Sequence, residues 1–520
     1  MTRKIHQLHT TSLKRLSPLR IVSLILFLHC GFSACSSSED TSAQISSLCD
    51  SLEAIIYVVD SEIYKREISA YRGGRLDSLT SLRTTWHQMI SSKPWKDSLG
   101  RAILAPLDTN VLRRAERLEL RLAIDVAERE PEQARYVDSL FSDWTLMKSK
   151  GNRYKLASHS TDSLNQSRRK ERRNLYRTNH PSGKRYSEWL TRLARLRNQH
   201  AKELGYSSAL DLALRADGLT RDELRAYLTA LDSVGVNSYQ VALDSIRSYY
   251  GETQNWSVEP GDAERYLLLG PLRIDSRSSV LRKRDVLNWA VSALRALGFD
   301  VAGLPIDIDT TFALSSDAKP ISLTARSNNL AIVLVGRPSA QCNIRFVRDL
   351  CSELTKAVAH VATPQNTSPI WVESLATLIL QLMLTGEGYT ELLNIPTQFS
   401  GTVHRWLENA HIMEMRNQLA RVEFELELFA NPNRDIQTIF RGIYNAWMQM
   451  EPQKDIFLYA DDVSRIREGP GEYRRMIALL VAAQLYTHGF RTLGPFAELS
   501  DWQKYLNDIS AIVTEGKEWE

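Results

Sequence analysis

The chain has 520 residues, of which 43% are hydrophobic and 24% are charged, an ordinary balance for a globular protein. Lys and Arg number 65 against 61 Asp and Glu, and five of the basic residues but none of the acidic ones lie within residues 1–34. The remainder is therefore close to neutral, and nothing in its charge indicates a nucleic-acid partner. The length allows several domains or one large helical body.

Residues 1–34 have the pattern of a targeting segment: basic residues, then the short apolar run IVSLILFL, then small residues before Cys35. The apolar run is too short to span a membrane. The sequence FSAC resembles the lipobox of bacterial lipoproteins, with Phe32 where Leu is usual. This resemblance implies that Cys35 is acylated, becomes the mature N-terminus and anchors the chain to the cell envelope outside the cytoplasm. Plain secretion with cleavage after Ala34 and an uncleaved anchor are the alternatives.

Residues 35–50 are polar and lack periodicity, which predicts a tether, and residues 51–520 are predicted to form a helical domain. Cys49, Cys342 and Cys351 do not form a disulfide framework or a zinc motif. Pairing of Cys342 with Cys351 in an oxidising compartment is left open. The basic cluster between residues 168 and 185 is interpreted as a solvated surface, with an anion-binding or membrane-proximal patch as the alternative.

A helical pattern recurs along the chain. The residues from Ser187 to Leu214 predict a helix that stops at Gly205 and a short second helix, and Thr220 with Glu223 forms a capping box for the next one. Alternating apolar residues around Leu323 and an apolar run ending at Val335 predict a small antiparallel sheet. Further helices are predicted over these ranges: residues 110–128, 407–429, 435–448 and the stretch that begins near Tyr473.

The stretch from Asn343 to Met383 contains two runs of apolar residues at helical spacing, joined by TPQNTSP. His360 lies near the end of the first predicted helix, and Glu373 lies near the start of the second. A His on one helix and a Glu on the next are two of the parts from which zinc metallopeptidases are built.

The passage LRNQHAKELGYSSALDLAL resembles a structural segment shared by the helical zinc dipeptidases, the angiotensin-converting-enzyme-like peptidyl-dipeptidases and their oligopeptidase relatives. The resemblance extends from about Val111 to Gly489, and WVESLA around Glu373 looks like that family's Glu helix. It implies a mainly α, large, two-lobed fold with a central groove and a small antiparallel sheet beside the metal-site helix. In that family the edge strand of the sheet binds extended peptide.

The catalytic pattern of the family is incomplete here. Counting back from His360, Lys356 stands at the first His of H-E-x-x-H and Ala357 stands at the general-base Glu. A protonated lysine cannot bind zinc, and alanine cannot accept a proton. His360 and Glu373 are therefore predicted as a vestigial metal pair, two ligands where a catalytic zinc needs three and a water.

The stretch EYRRMI resembles the family's PYIRYF motif, and Tyr473 and Arg475 are retained. The Tyr that stabilises the oxyanion in the family falls on Met476, and the family's nearby His falls on Ile466. Methionine cannot donate the hydrogen bond that an oxyanion needs. Lys356, Tyr473 and Arg475 are thus candidates for binding peptide in the groove, with Lys356 hypothesised to pair with Glu373 or with a peptide carboxylate.

The leading interpretation is a lipid-anchored metallopeptidase homologue without peptidase activity and without a cofactor, binding peptide or serving as a scaffold. One alternative is an active zinc peptidase with a rearranged site that uses His360, Glu373 and a further ligand such as Glu353 or Glu387. Another is a purely structural lipoprotein. His404 and His411 are spaced two helical turns apart, and surface placement is favoured over a second metal pair.

Overall fold

The fold is taken from a computed structural model. It describes residues 38–71, 84, 86–88, 109–128, 132–133, 137, 169, 173–174, 176–177, 183–251, 256–269, 281–311, 320–325, 329–335, 341–342, 344–364, 367–385, 388, 391–392, 398, 400–454, 456–461, 469–494, 501–506 and 508.

Helices dominate the described residues. Their bounds are α1 Ser38–Tyr71, α2 Thr109–Glu128, α3 Gly183–Glu203, α4 Ala209–Ala216, α5 Arg221–Tyr249, α6 Pro260–Leu269, α7 Lys283–Ala296, α8 Ile344–Ala362, α9 Pro369–Met383, α10 Ser400–Ala430, α11 Ile436–Met448 and α12 Glu472–Leu493, with a 3₁₀ turn at Leu458–Asp461.

The described residues fall into two compact units. One contains the start of α1, up to Ile55, with α2 up to Val126, and the other contains the described residues of 56–83 and of 127–520. In the first unit Arg114 of α2 forms ion pairs with Asp50 and Glu53 of α1, both at 2.7 Å. The sheets, and the helices that carry the predicted site residues, belong to the second unit.

The start of α1 differs from the tether predicted for residues 35–50. The helix begins at Ser38, and Ile45 and Cys49 are buried. These two apolar side chains lie one helical turn apart and give the segment a buried face that its polar composition conceals. In the described part of the chain, no helix is long and apolar enough to cross a membrane.

Several local predictions are confirmed because they depend on short-range chemistry. Helix α3 ends before Gly205, whose φ of +89° is the left-handed conformation that glycine accommodates without strain. Helix α5 begins with the capping box, in which the Thr220 hydroxyl accepts from the Glu223 N–H while the Glu223 carboxylate accepts from the Thr220 N–H.

The principal sheet has three strands in the order β2-β4-β3: β2 Ile306–Asp309, β3 Ile321–Ala325 and β4 Leu330–Leu334. Strands β3 and β4 form the predicted antiparallel pair, with Leu323 opposite Ile332. Strand β2 joins β4 in parallel, so the sheet is mixed. A second, two-stranded sheet pairs β1 Leu281–Arg282 with β5 Gln341–Cys342.

Helix α8 links the sheet to the helical core. Its apolar stripe is fully buried at Phe346, Leu350, Leu354 and Val358. The helix packs against β3 and β4 and against α9, and α9 in turn packs against α12. The three helices that carry the predicted site residues are therefore brought together, in accordance with the mainly helical fold that the sequence predicts.

Candidate functional site

Lys356 on α8 forms an ion pair with Glu353, one turn earlier on the same helix, at 3.1 Å between Nζ and Oε1. The other carboxylate oxygen of Glu353 accepts the Ser322 N–H at 2.9 Å and the Ser322 hydroxyl at 2.6 Å. Glu353 thus holds the lysine and the edge strand β3 together. Lys356 was hypothesised to pair with Glu373. It pairs with Glu353 instead, because i,i+3 spacing on the same helix places that carboxylate beside it.

Glu373 on α9 forms an ion pair with Arg475 on α12, at 3.7 Å between Oε1 and Nε. The side chains are 28% and 19% exposed, respectively, so the pair is partly shielded from water. The carboxylate predicted as a metal ligand is therefore neutralised by the arginine predicted to contact peptide.

The two remaining positions of the H-E-x-x-H pattern differ in exposure. Ala357 is 0% exposed, whereas His360, three residues later near the end of α8, is half-buried. In a working peptidase the residue after the first His must present a carboxylate to the metal-bound water. At this position the helix instead presents a methyl group to packed neighbours.

Two of the positions carried over from the PYIRYF motif, Tyr473 and Met476, are core residues. Tyr473 and Met476 are each 0% exposed. The Tyr473 hydroxyl donates to Asp217 Oδ2, and Arg474 Nε donates to the same oxygen. Burial raises the pKa of Tyr473 well above its ordinary value. This corrects the expectation that Tyr473 contacts peptide in a groove: it fastens α12 to Asp217, which follows α4.

A buried network that the sequence reasoning missed holds the start of α12. Glu425 of α10 accepts the N–H groups of Gly471 and Glu472, at 3.1 and 2.9 Å. Glu472 lies 3.5 Å from Arg421, and both side chains are almost completely buried. Burial, followed by the charge of Glu472, raises the pKa of Glu425 to about 8. The i,i+4 spacing of Arg421 and Glu425 was the available signal.

The other predicted residues are placed as follows. Glu387, Ile466 and Cys35 lie outside the described residues. His404 is exposed and lies 3.3 Å from Glu408, as surface placement requires. His411 is half-buried, and burial, with the charges of Arg348 and His404, lowers its pKa to about 4.

The described cysteines are free thiols, so the pairing of Cys342 with Cys351 that the sequence left open is not formed in this structure. The Cys342 thiol faces the Leu281 carbonyl at 3.6 Å, and burial raises its pKa to about 12. Cys351 is fully buried within α8.

The described residues at this site do not supply the set of ligands that a catalytic zinc needs. Among the described residues, no three His, Cys, Asp or Glu side chains cluster in a way that would hold a metal. The available donors are His360 and Glu373, and Glu373 already has a cation beside it. Glu353, suggested above as a third ligand, is buried and already accepts hydrogen bonds from Ser322 and pairs with Lys356. Each of these two carboxylates thus has a cation beside it, Lys356 at Glu353 and Arg475 at Glu373.

Neither protein-family models nor curated proteins give a match to the sequence. Solved structures do match. PZ peptidase A with an inhibitor is 12% identical, with a TM-score of 0.58 over 96% of this chain and 94% of that chain. Metallocarboxypeptidase 1 of Trypanosoma cruzi is 13% identical, with a TM-score of 0.57 over 91% and 92%. A protein assigned as an oligoendopeptidase F from Bacillus anthracis is 11% identical, with a TM-score of 0.52 over 97% and 96%.

At these identities the likeness is one of fold. The chain has the mainly helical fold of large peptidases, as the resemblance in the sequence implied. The neighbours that share this fold over nearly their whole length are of the oligoendopeptidase and metallocarboxypeptidase types. What this chain does with the fold depends on its own residues.

Proposed function

We propose that this chain is a lipid-anchored protein of the bacterial cell envelope that keeps a metallopeptidase fold without zinc-dependent peptidase activity, and that it binds peptide or serves as a scaffold. The observation that carries the proposal is the pairing of Glu373 with Arg475. An arginine is always charged, and it occupies the carboxylate that a zinc ion would need.

Two further features support the loss of chemistry. The position of the general base is a fully buried alanine, Ala357, and the position of the oxyanion-stabilising tyrosine is the fully buried Met476. Neither side chain can take or donate a proton. Each of the three parts of the catalytic site is thus altered at its own position: the metal ligand Glu373 is paired with Arg475, the general base is replaced by Ala357, and the oxyanion donor is replaced by Met476.

The test of this proposal is hydrolysis of internally quenched fluorogenic peptides by the purified chain, begun at residue 36, with and without a chelator. We expect no chelator-sensitive cleavage above that of a His360→Ala preparation made in parallel. Cleavage that a chelator abolishes and that His360→Ala removes would contradict the proposal.

The lipid anchor has its own test. The pattern that ends in FSAC predicts that the wild-type chain partitions with membranes and incorporates labelled fatty acid. We expect Cys35→Ser to abolish incorporation of the label, while Cys49→Ser, a matched change at a buried thiol, leaves it unaltered. Equal labelling of the Cys35→Ser variant and the wild type would contradict acylation at this residue.

A further inference from the structure

A cleft of about 620 Å³ lies between the last turns of α3 and the loop that follows α10. None of the residues predicted for the metal site contributes to it. One wall is the face of α3 that carries Arg195, Asn198, Gln199 and Lys202, and the loop at 431–433 faces it. These four helical residues are spaced at i, i+3, i+4 and i+7 and so share one face.

The cleft is built by the segment around LGY that the sequence analysis singled out as structural. The left-handed turn at Gly205 brings Tyr206 back onto α3, where its N–H donates to the Ala201 carbonyl at 2.9 Å. The reversal places Ser207 among the lining residues.

Asn198 fixes the two walls relative to each other. Its side-chain amide donates to the Phe429 carbonyl of α10 at 2.8 Å, and its side-chain oxygen accepts the Ala209 N–H of α4 at 3.0 Å. Both bonds are buried, so they resist exchange with water. The shape of the cleft is therefore preformed.

Arg195 and Lys202 are exposed, and within the described part of the chain neither forms a hydrogen bond or an ion pair. By contrast Arg192, one turn earlier on the same helix, pairs with Glu132 at 2.8 Å. Lys202 lies in the last turn of α3, where a cation stabilises the helix dipole. That role does not account for Arg195, which lies two turns earlier in the helix.

The rest of the lining suits a peptide backbone. Ser207, Asn431 and Asn433 offer hydroxyl and amide groups, and Phe429 and Pro432 add apolar surface. Glu203, the carboxylate of the lining, is engaged by Gln199 and by His200, each at 3.2 Å. Among the lining residues, the charged groups without a hydrogen-bond or ion-pair partner in the described chain are thus Arg195 and Lys202.

We propose that this cleft binds an acidic peptide segment, with two carboxylates that pair with Arg195 and Lys202 while the amide side chains bind the backbone. Seven residues of helix separate the two cations by about 10 Å, at a rise of 1.5 Å per residue. A peptide in the polyproline II conformation has three residues per turn and rises about 3.1 Å per residue, so two acidic side chains three positions apart lie on one face at about this spacing. This site is independent of the proposed function and stands even if the chain is an active peptidase.

The experiment is fluorescence anisotropy with the chain from residue 36 and a labelled peptide, Gly-Glu-Ala-Ala-Glu-Gly, at low salt. A second peptide carries Gln in place of both Glu. We expect saturable binding of the acidic peptide and about tenfold weaker binding of the Gln peptide, because the Gln peptide cannot form the two exposed ion pairs.

Variants locate the site. We expect Arg195→Gln and Lys202→Gln each to weaken binding about threefold and the double variant about tenfold. Arg192→Gln, the matched control with the same charge change on the same helix, should bind like the wild type. Equal affinity for the two peptides, an equal loss in Arg192→Gln, or no saturable binding up to about 1 mM peptide would overturn the proposal.

Discussion

Two regions of the molecule differ in whether their cations are paired. The first is formed by helices α8, α9 and α12, and the second is the cleft beside α3. In the first region both predicted site cations already have a carboxylate: Lys356 pairs with Glu353, and Arg475 pairs with Glu373. At the cleft, Arg195 and Lys202 have no such partner within the described chain. Removing one partner of an ion pair inside the protein destabilises the fold, whereas unpaired charges at a preformed cleft are available to a ligand.

The comparison therefore predicts that substitutions in the first region change stability, whereas substitutions at the cleft change binding alone. The effect on stability should follow the burial of the pair. It should be largest where α12 is attached to α10 through Arg421 and Glu472, which are 6% and 2% exposed.

Arg421→Met should destabilise the fold the most. The change leaves Glu472 buried without its cation and removes the bonds from Arg421 to the carbonyls of Leu458 and Tyr459. We expect a loss of about 3–5 kcal/mol in the free energy of unfolding by urea. Arg434→Met, which breaks an exposed pair with Glu427, is the control and should cost under about 1 kcal/mol. Equal losses would mean that the buried network does not hold α12.

The pH dependence of stability should reveal Glu425. Its pKa in the folded chain is raised to about 8 from the ordinary 4.5, so the folded chain holds a proton that the unfolded chain releases. Stability should then fall as pH rises from 4.5 to 8, by on the order of 1 kcal/mol per pH unit, and level off above. Glu425→Gln should flatten this decline in urea titrations across that window. An unchanged slope would contradict the assignment.

Glu353→Ala should cost about 2 kcal/mol, because the Ser322 N–H and hydroxyl lose their acceptor beside the sheet. Hydrogen exchange at Ser322 should also become faster. Glu408→Ala, on the exposed surface of α10, provides the control and should leave both the stability and this exchange rate unchanged. If Ser322 exchanges at the same rate in the Glu353→Ala variant, the carboxylate does not secure the edge strand.

Arg475→Met should have the smallest effect in this series, about 1 kcal/mol, since the pair with Glu373 is partly exposed. Arg195→Gln should alter the free energy of unfolding by less than about 0.5 kcal/mol. Thermal unfolding of both variants beside the wild type would measure the difference. A larger loss for Arg195→Gln would show that this arginine has a structural role and would remove the contrast between the two regions.

The parts of the fold that could be predicted from the sequence depend on local patterns. The helix pair around His360, the antiparallel strands near Leu323 and the capping box at Thr220 each follow from spacing within a few residues. Strand β2 was missed because its parallel partner is distant in sequence and its four residues, IDID, carry a weak apolar pattern.

The candidate site was predictable in composition but not in its contacts. The sequence alone shows that Lys356 replaces the first His of the H-E-x-x-H pattern and that Ala357 replaces its general-base Glu. The pairing of Glu373 with Arg475 joins residues about one hundred positions apart, and only the packing of α9 on α12 brings them together. Tyr473 was misassigned because a motif fixes residue types and not which face of a buried helix they occupy.

Zinc stoichiometry tests the central claim most directly. The variant to measure beside the wild type is Lys356→His combined with Arg475→Met, because it places two imidazoles one turn apart on α8 and releases the Glu373 carboxylate from its cation. Lys356→Gln combined with Arg475→Met is the matched control that removes both cations without adding a ligand. After zinc loading and desalting, we expect zinc to be retained by the variant with Lys356→His and absent from the wild type and from the control. One zinc per wild-type chain, lost in His360→Ala, would contradict the account.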